Sequence, residues 1–132
     1  MSQPKCAVLL LLLLTPNAVA DMTDVRTYRE TLARGGMDRL VAQAYVTGAG
    51  LALAGANVEL RDRRQPPLFC APNDFVHDWE NLNPIIETWI ARTSKVLSVE
   101  RLEKYPVFLV LMQALIQAFP CPKIPADQKP AK

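Results

Sequence analysis

Val25, Tyr28 and Leu32 recur at helical spacing and mark one face of a short amphipathic helix over residues 21–33. Thr23 or Asp21 can cap it, and Gly35-Gly36 ends it. A second helix is predicted from Asp38, its cap, to about residue 56, DRLVAQAYVTGAGLALAGA. Ala44, Gly48, Ala52 and Ala56 repeat every four residues along it and make a narrow face of small side chains. Such a face lets another backbone approach closely. The helix is therefore expected to be central, packed tightly within the domain or across a homodimer axis. Its apolar stretch is too short for a dimerising membrane span.

Residues 57–72 read as a connection. They carry the charge cluster Glu59-Leu60-Arg61-Asp62-Arg63-Arg64, then Pro66-Pro67, which favour an extended run into Cys70. Residues 73–80 are polar and read as a turn or short helix. Asn83 is placed to cap a third helix with Pro84 in its first position. Ile85, Ile86, Trp89, Ile90 and Val96 give that helix an apolar face. Residues 98–104 open on SVER, a capping-box pattern, and predict a short helix. Pro106 starts the last helix, 107–119, in which only Gln113 and Gln117 are polar; a helix apolar nearly all round belongs in the core. No segment alternates as a strand. The fold class expected is all-α, a small compact domain of four to five helices.

The N-terminus changes the reading of the cysteines. Lys5 precedes an apolar run from Ala7 to Leu14, Pro16-Asn17 break it, and Ala18-Val19-Ala20 fits a signal-peptidase site. The run is far short of the roughly 20 residues of a membrane span. Residues 1–20 are therefore expected to be a cleaved export signal, 21–122 a helical domain, and 123–132 a disordered tail. Of three cysteines, Cys6 leaves with the signal, so Cys70 and Cys121 remain. An even pair in an oxidising compartment reads as a disulfide, here the single staple of the domain. A lone pair without CxxC spacing makes a poor zinc site, and Cys121, between Pro120 and Pro122, has no histidine partner of a nucleophile beside it.

Without Lys5, 14 of the 15 basic residues remain against 13 acidic ones, a net charge near +1. That argues against a nucleic-acid partner, which expects a basic stripe. His77 is the one histidine, and no nucleophile–base pair is suggested by spacing, so no enzyme is expected. Asp74, His77, Asp78 and Glu80 could be metal ligands or paired carboxylates, but fit better as the polar start of a helix, where the dipole favours acidic groups. Trp79 among them is either an exposed binding anchor or a ring folded onto the core. Arg61, Arg63 and Arg64 are either a solvated loop or a recognition surface held by the scaffold.

Several pieces carry a family resemblance: Tyr45-Val46-x-Gly48 on a small-residue helix, Phe69-Cys70-x-Pro72, and Pro106 leading through LVLMQALIQA to Phe119-Pro120-Cys121. In these the chain resembles the Rap/Tai-type immunity proteins of bacterial type VI secretion systems, over roughly residues 38–122. Many members carry a second cysteine pair joining the first two helices, where this chain has Ala42; an acidic residue often found after the glycine is here Leu51. The resemblance implies a periplasmic protein that binds a secreted peptidoglycan amidase, occludes its groove and spares the producer from self-lysis, often as a homodimer and without cofactor. The partner-binding residues expected are Trp79, His77 and Asp78, then Arg61, Arg63 and Arg64. Tyr45, Gly48, Pro106, Phe119 and Pro120 are expected to be structural. The alternatives are a periplasmic helical chaperone that holds unfolded clients and an enzyme accessory or cell-wall binding module; an adjacent gene for a small amidase would favour immunity.

Overall fold

Five helices form over residues 24–122, the part of the chain described in this computed structural model: α1 (Val25–Arg34), α2 (Gly36–Asp62), α3 (Trp79–Thr93), α4 (Val99–Glu103) and α5 (Val107–Ala118). The segments expected to be an export signal with its cleavage site and a C-terminal tail lie outside the described residues. The fold is all-α, and among the described residues there is no strand.

In α1 the cap is Asp24, whose Oδ1 accepts from the Thr27 amide at 2.8 Å. The expected face faces inward: Val25 and Tyr28 are buried, and Leu32 packs against the core. Gly35 ends α1 and at once caps α2, its φ of 74° turning the chain sharply. Asp38 therefore is not the cap of α2. It stands in the first turn and pairs with Arg34 across the corner at 2.9 Å.

The small-residue face of α2 is turned the other way from expectation. Ala44, Gly48, Ala52 and Ala56 are exposed, and a Cβ at Gly48 would meet nothing within 4 Å. The buried face is Ala42, Val46, Gly50, Leu53 and Asn57. Close approach occurs at Gly50, where a Cβ would stand 2.4 Å from Cδ1 of Leu82. Over residues 40–58, which carry no charge, both faces of this helix are apolar enough to pack, so periodicity alone could not choose between them.

The helix also runs on through the charge cluster. Glu59 pairs with Arg63 one turn later at 2.6 Å, and no residue bars helix until Pro66.

α3 begins earlier than expected. Asp78, not Asn83, is its cap, accepting from the Asn81 amide at 3.0 Å. Pro84 is inside the helix, where its missing N–H leaves the Glu80 carbonyl without its usual helical donor. Leu82, Ile86, Trp89 and Ile90 are buried, whereas Val96 lies past the helix end and is 83% exposed. Ser98 caps α4 without a side-chain hydrogen bond, so the capping box is not made.

α5 packs against α3 and α2 through Val107, Val110, Leu111, Ala114 and Leu115. Phe108 and Leu109 on its other face are exposed, so α5 is one-sided rather than buried all round. Ion pairs Arg26–Glu103 and Arg29–Glu87 tie α1 to α4 and α3 on the surface.

Candidate functional site

After α2 the chain runs for sixteen residues, 63–78, with no regular element. Connections of that length inside a small domain are uncommon and often functional. The run leaves α2 by a Schellman turn: Arg64 takes the left-handed conformation (φ 58°), Gln65 donates its amide to the Leu60 carbonyl at 2.7 Å, and the Arg64 amide donates to Arg61 at 2.9 Å.

The middle of the connection is held at four points. Asn57, buried on α2, donates from Nδ2 to the Phe69 carbonyl at 2.8 Å and accepts the Leu68 amide on Oδ1 at 2.7 Å. The Cys70 amide donates to the Phe119 carbonyl at 2.8 Å. The Cys70–Cys121 disulfide closes beside it, with Cα atoms 4.9 Å apart. Phe69 is buried, and Phe75 meets Phe119 edge-on with centroids 4.8 Å apart. Backbone hydrogen bonds, a covalent link and aromatic packing thus fix a segment that has no ladder of its own.

These restraints leave a cavity of about 270 Å³ against α2. Phe69, Phe75 and Cys70 supply apolar wall, and Asn57, Arg61 and His77 supply polar atoms. Arg61 is the one charged side chain lining it. Its Nε donates to the Asn57 carbonyl at 3.3 Å, and among the described residues it has no carboxylate partner. The His77 ring packs edge-on against Phe75 at 5.0 Å, and its Nε2 is buried without a hydrogen-bond partner. Burial holds the His77 pKa below its ordinary 6.5, opposed by a backbone hydrogen bond with Phe75.

No protein-family model, curated protein or solved structure matches the chain. Its site is therefore read from its own residues.

The six residues expected to bind a partner separate. Arg61 and His77 come together in the cavity. Arg63 is paired with Glu59, and Arg64 is exposed at the Schellman turn; neither lines the cavity. Asp78 is occupied as the α3 cap. Trp79 is half-buried against the core, its Nε1 donating to the Tyr28 hydroxyl at 3.1 Å, and that hydroxyl donates to Asn83 Oδ1 at 2.9 Å. Arg39 lies over the Trp79 ring, 5.8 Å from its centroid. Trp79 is thus a packed ring, not a free anchor. Burial raises the Tyr28 pKa, while the bond from Trp79 lowers it.

Of the expected structural residues, Tyr45 and Phe119 pack against the core, Pro106 caps α5, and Gly48 and Pro120 are exposed. Asn57 and Phe75 escaped sequence reasoning. A buried asparagine in a helix carries no local signature, because its partners lie in an irregular segment eleven and twelve residues on. Among the described residues no three His, Cys, Asp or Glu side chains gather as metal ligands.

Proposed function

We propose that this protein is a periplasmic immunity protein that binds and occludes a secreted peptidoglycan amidase, without chemistry of its own. The observation that carries the reading is the pinned connection 63–78. It is long and irregular, yet held by Asn57, the Cys70 amide and the disulfide. A preordered segment loses little entropy on docking, which suits it to filling a peptidase groove as a rigid inhibitor. Export, the two-cysteine pairing and the Phe69-Cys70-x-Pro72 and Phe119-Pro120-Cys121 pieces support the same reading.

The test is a search of the adjacent genes for a small amidase, then a pull-down and inhibition assay with it, using the oxidised protein and peptidoglycan as substrate. Nanomolar capture and loss of hydrolysis are expected, with Arg61→Glu weakening inhibition at least tenfold. An amidase fully active in excess protein overturns the reading.

The exposed face of α2 supports self-association as a homodimer. Residues 40–58 contain no charged side chain, and Leu40, Val41, Leu51 and Val58 on them are exposed. Sedimentation of wild type against Leu51→Glu tests this.

A chaperone reading has one observation in its favour. Val96, Val99, Tyr105, Phe108 and Leu109 leave apolar surface open between α3 and α5. It expects suppression of aggregation of an unrelated unfolded protein, which immunity does not.

A further inference from the structure

The cavity beside the disulfide has a chemistry more specific than steric occlusion requires. Its walls are apolar where Phe69, Phe75, Pro67 and Cys70 line it, and no acidic side chain faces it. Arg61 is its sole charge, and that charge is uncompensated among the described residues. Only the Nε of Arg61 is engaged, by the Asn57 carbonyl. Four of the five N–H donors of a guanidinium sit on the two terminal nitrogens, in a fork that matches a carboxylate. The walls are fixed before any ligand arrives, since the segment that forms them is bonded to α2 and to the end of α5.

We infer that this cavity is a binding site for a carboxylate carried on a short apolar body, the form an acidic side chain or a chain terminus of a protein partner would present. The carboxylate pairs with the terminal nitrogens of Arg61, and the carbon body lies against Phe69 and Phe75. A volume of about 270 Å³ holds one amino-acid side chain with its flanking backbone, not an extended peptide. A cationic ligand would meet Arg61 with no counter-charge, and a wholly apolar one would leave its free donors unused. Only the identity of the partner rests on the immunity reading; the site itself does not.

His77 lines the same cavity and is the chain's single histidine, so its ring protons report on the site without ambiguity. The experiment is proton NMR of the oxidised full-length exported protein, titrated with N-acetyl-leucine and, separately, with its uncharged amide. Saturable shifts of the His77 ring protons with the acid, at least tenfold weaker with the amide, are expected. Arg61→Gln should abolish the response to the acid. Arg61 is exposed, so that variant should fold, as checked by circular dichroism. No shift up to tens of millimolar acid, an equal response to acid and amide, or an unchanged response in Arg61→Gln overturns the inference. None of these arms contains an amidase, so a failure here is distinct from failure of the immunity reading. If the acid binds, its displacement by the amidase tells whether the cavity is the partner's docking point.

Discussion

Nδ2 of Asn57 on α2 donates to the carbonyl of Phe69, 2.8 Å away, and so binds the longest helix to a segment with no secondary structure. The same side chain accepts the Leu68 amide at 2.7 Å, so one buried amide serves two backbone groups that lack other partners. Asn57→Ala strands both. Each group left unsatisfied in a buried setting costs about 1–3 kcal/mol, and urea unfolding of the oxidised variant should show a loss on that scale. A midpoint equal to wild type would mean that water replaces both bonds and that the segment is not held by Asn57.

The disulfide closes a loop with a sequence separation of 51. Chain entropy sets its contribution at about 4 kcal/mol in the unfolded-state model. The double variant Cys70→Ala/Cys121→Ala should lose stability of that order and should gain protease sensitivity first in residues 63–78. Free-thiol labelling of the oxidised, unreduced protein gives the complementary check: no reactive thiol is expected before reduction.

Gly50 is the close-contact glycine of α2. Its missing Cβ leaves room for the side-chain tip of Leu82, which is fully buried. Gly50→Ala should destabilise by about 1–3 kcal/mol through overpacking, less the roughly 0.5–1 kcal/mol that alanine gains over glycine in a helix. Equilibrium unfolding checks it; a variant as stable as wild type would show that α3 can shift. Gly48 carries no such constraint, so the small-residue repeat through it is not where helices meet within the protomer.

Burial makes His77 harder to protonate in the folded chain than in the unfolded one. Its contribution is therefore neutral well above pH 6.5. As pH falls below that value the unfolded state takes up a proton that the folded state resists, and stability declines until the folded pKa is passed. Melting temperature from pH 7.5 to 5 should fall more steeply for wild type than for His77→Gln. Parallel curves would mean that the ring is open to solvent.

Much of this architecture was legible locally. The faces of α1 and α3, the start of the last helix at Pro106 and the pairing of two cysteines follow from spacing, proline chemistry and count, which depend on neighbours in the chain. The placement of Arg61 and His77 in one cavity does not, because they belong to different elements and line one wall only once the connection is held against α2 and the end of α5. The orientation of α2 was likewise undetermined: residues 40–58 carry no charge on any face, so hydropathy could not separate Gly48 from Gly50. Packing against Leu82 decides it, since the side of α2 that faces α3 must yield space for a leucine. The same holds for Trp79. Its polar neighbours left an exposed anchor and a packed ring both open; the hydroxyl of Tyr28, fifty-one positions earlier, satisfies its N–H and draws the ring onto the core. Sequence determined which elements form and that one covalent link joins them; tertiary packing decided which faces are buried, because burial depends on partners distant in the chain.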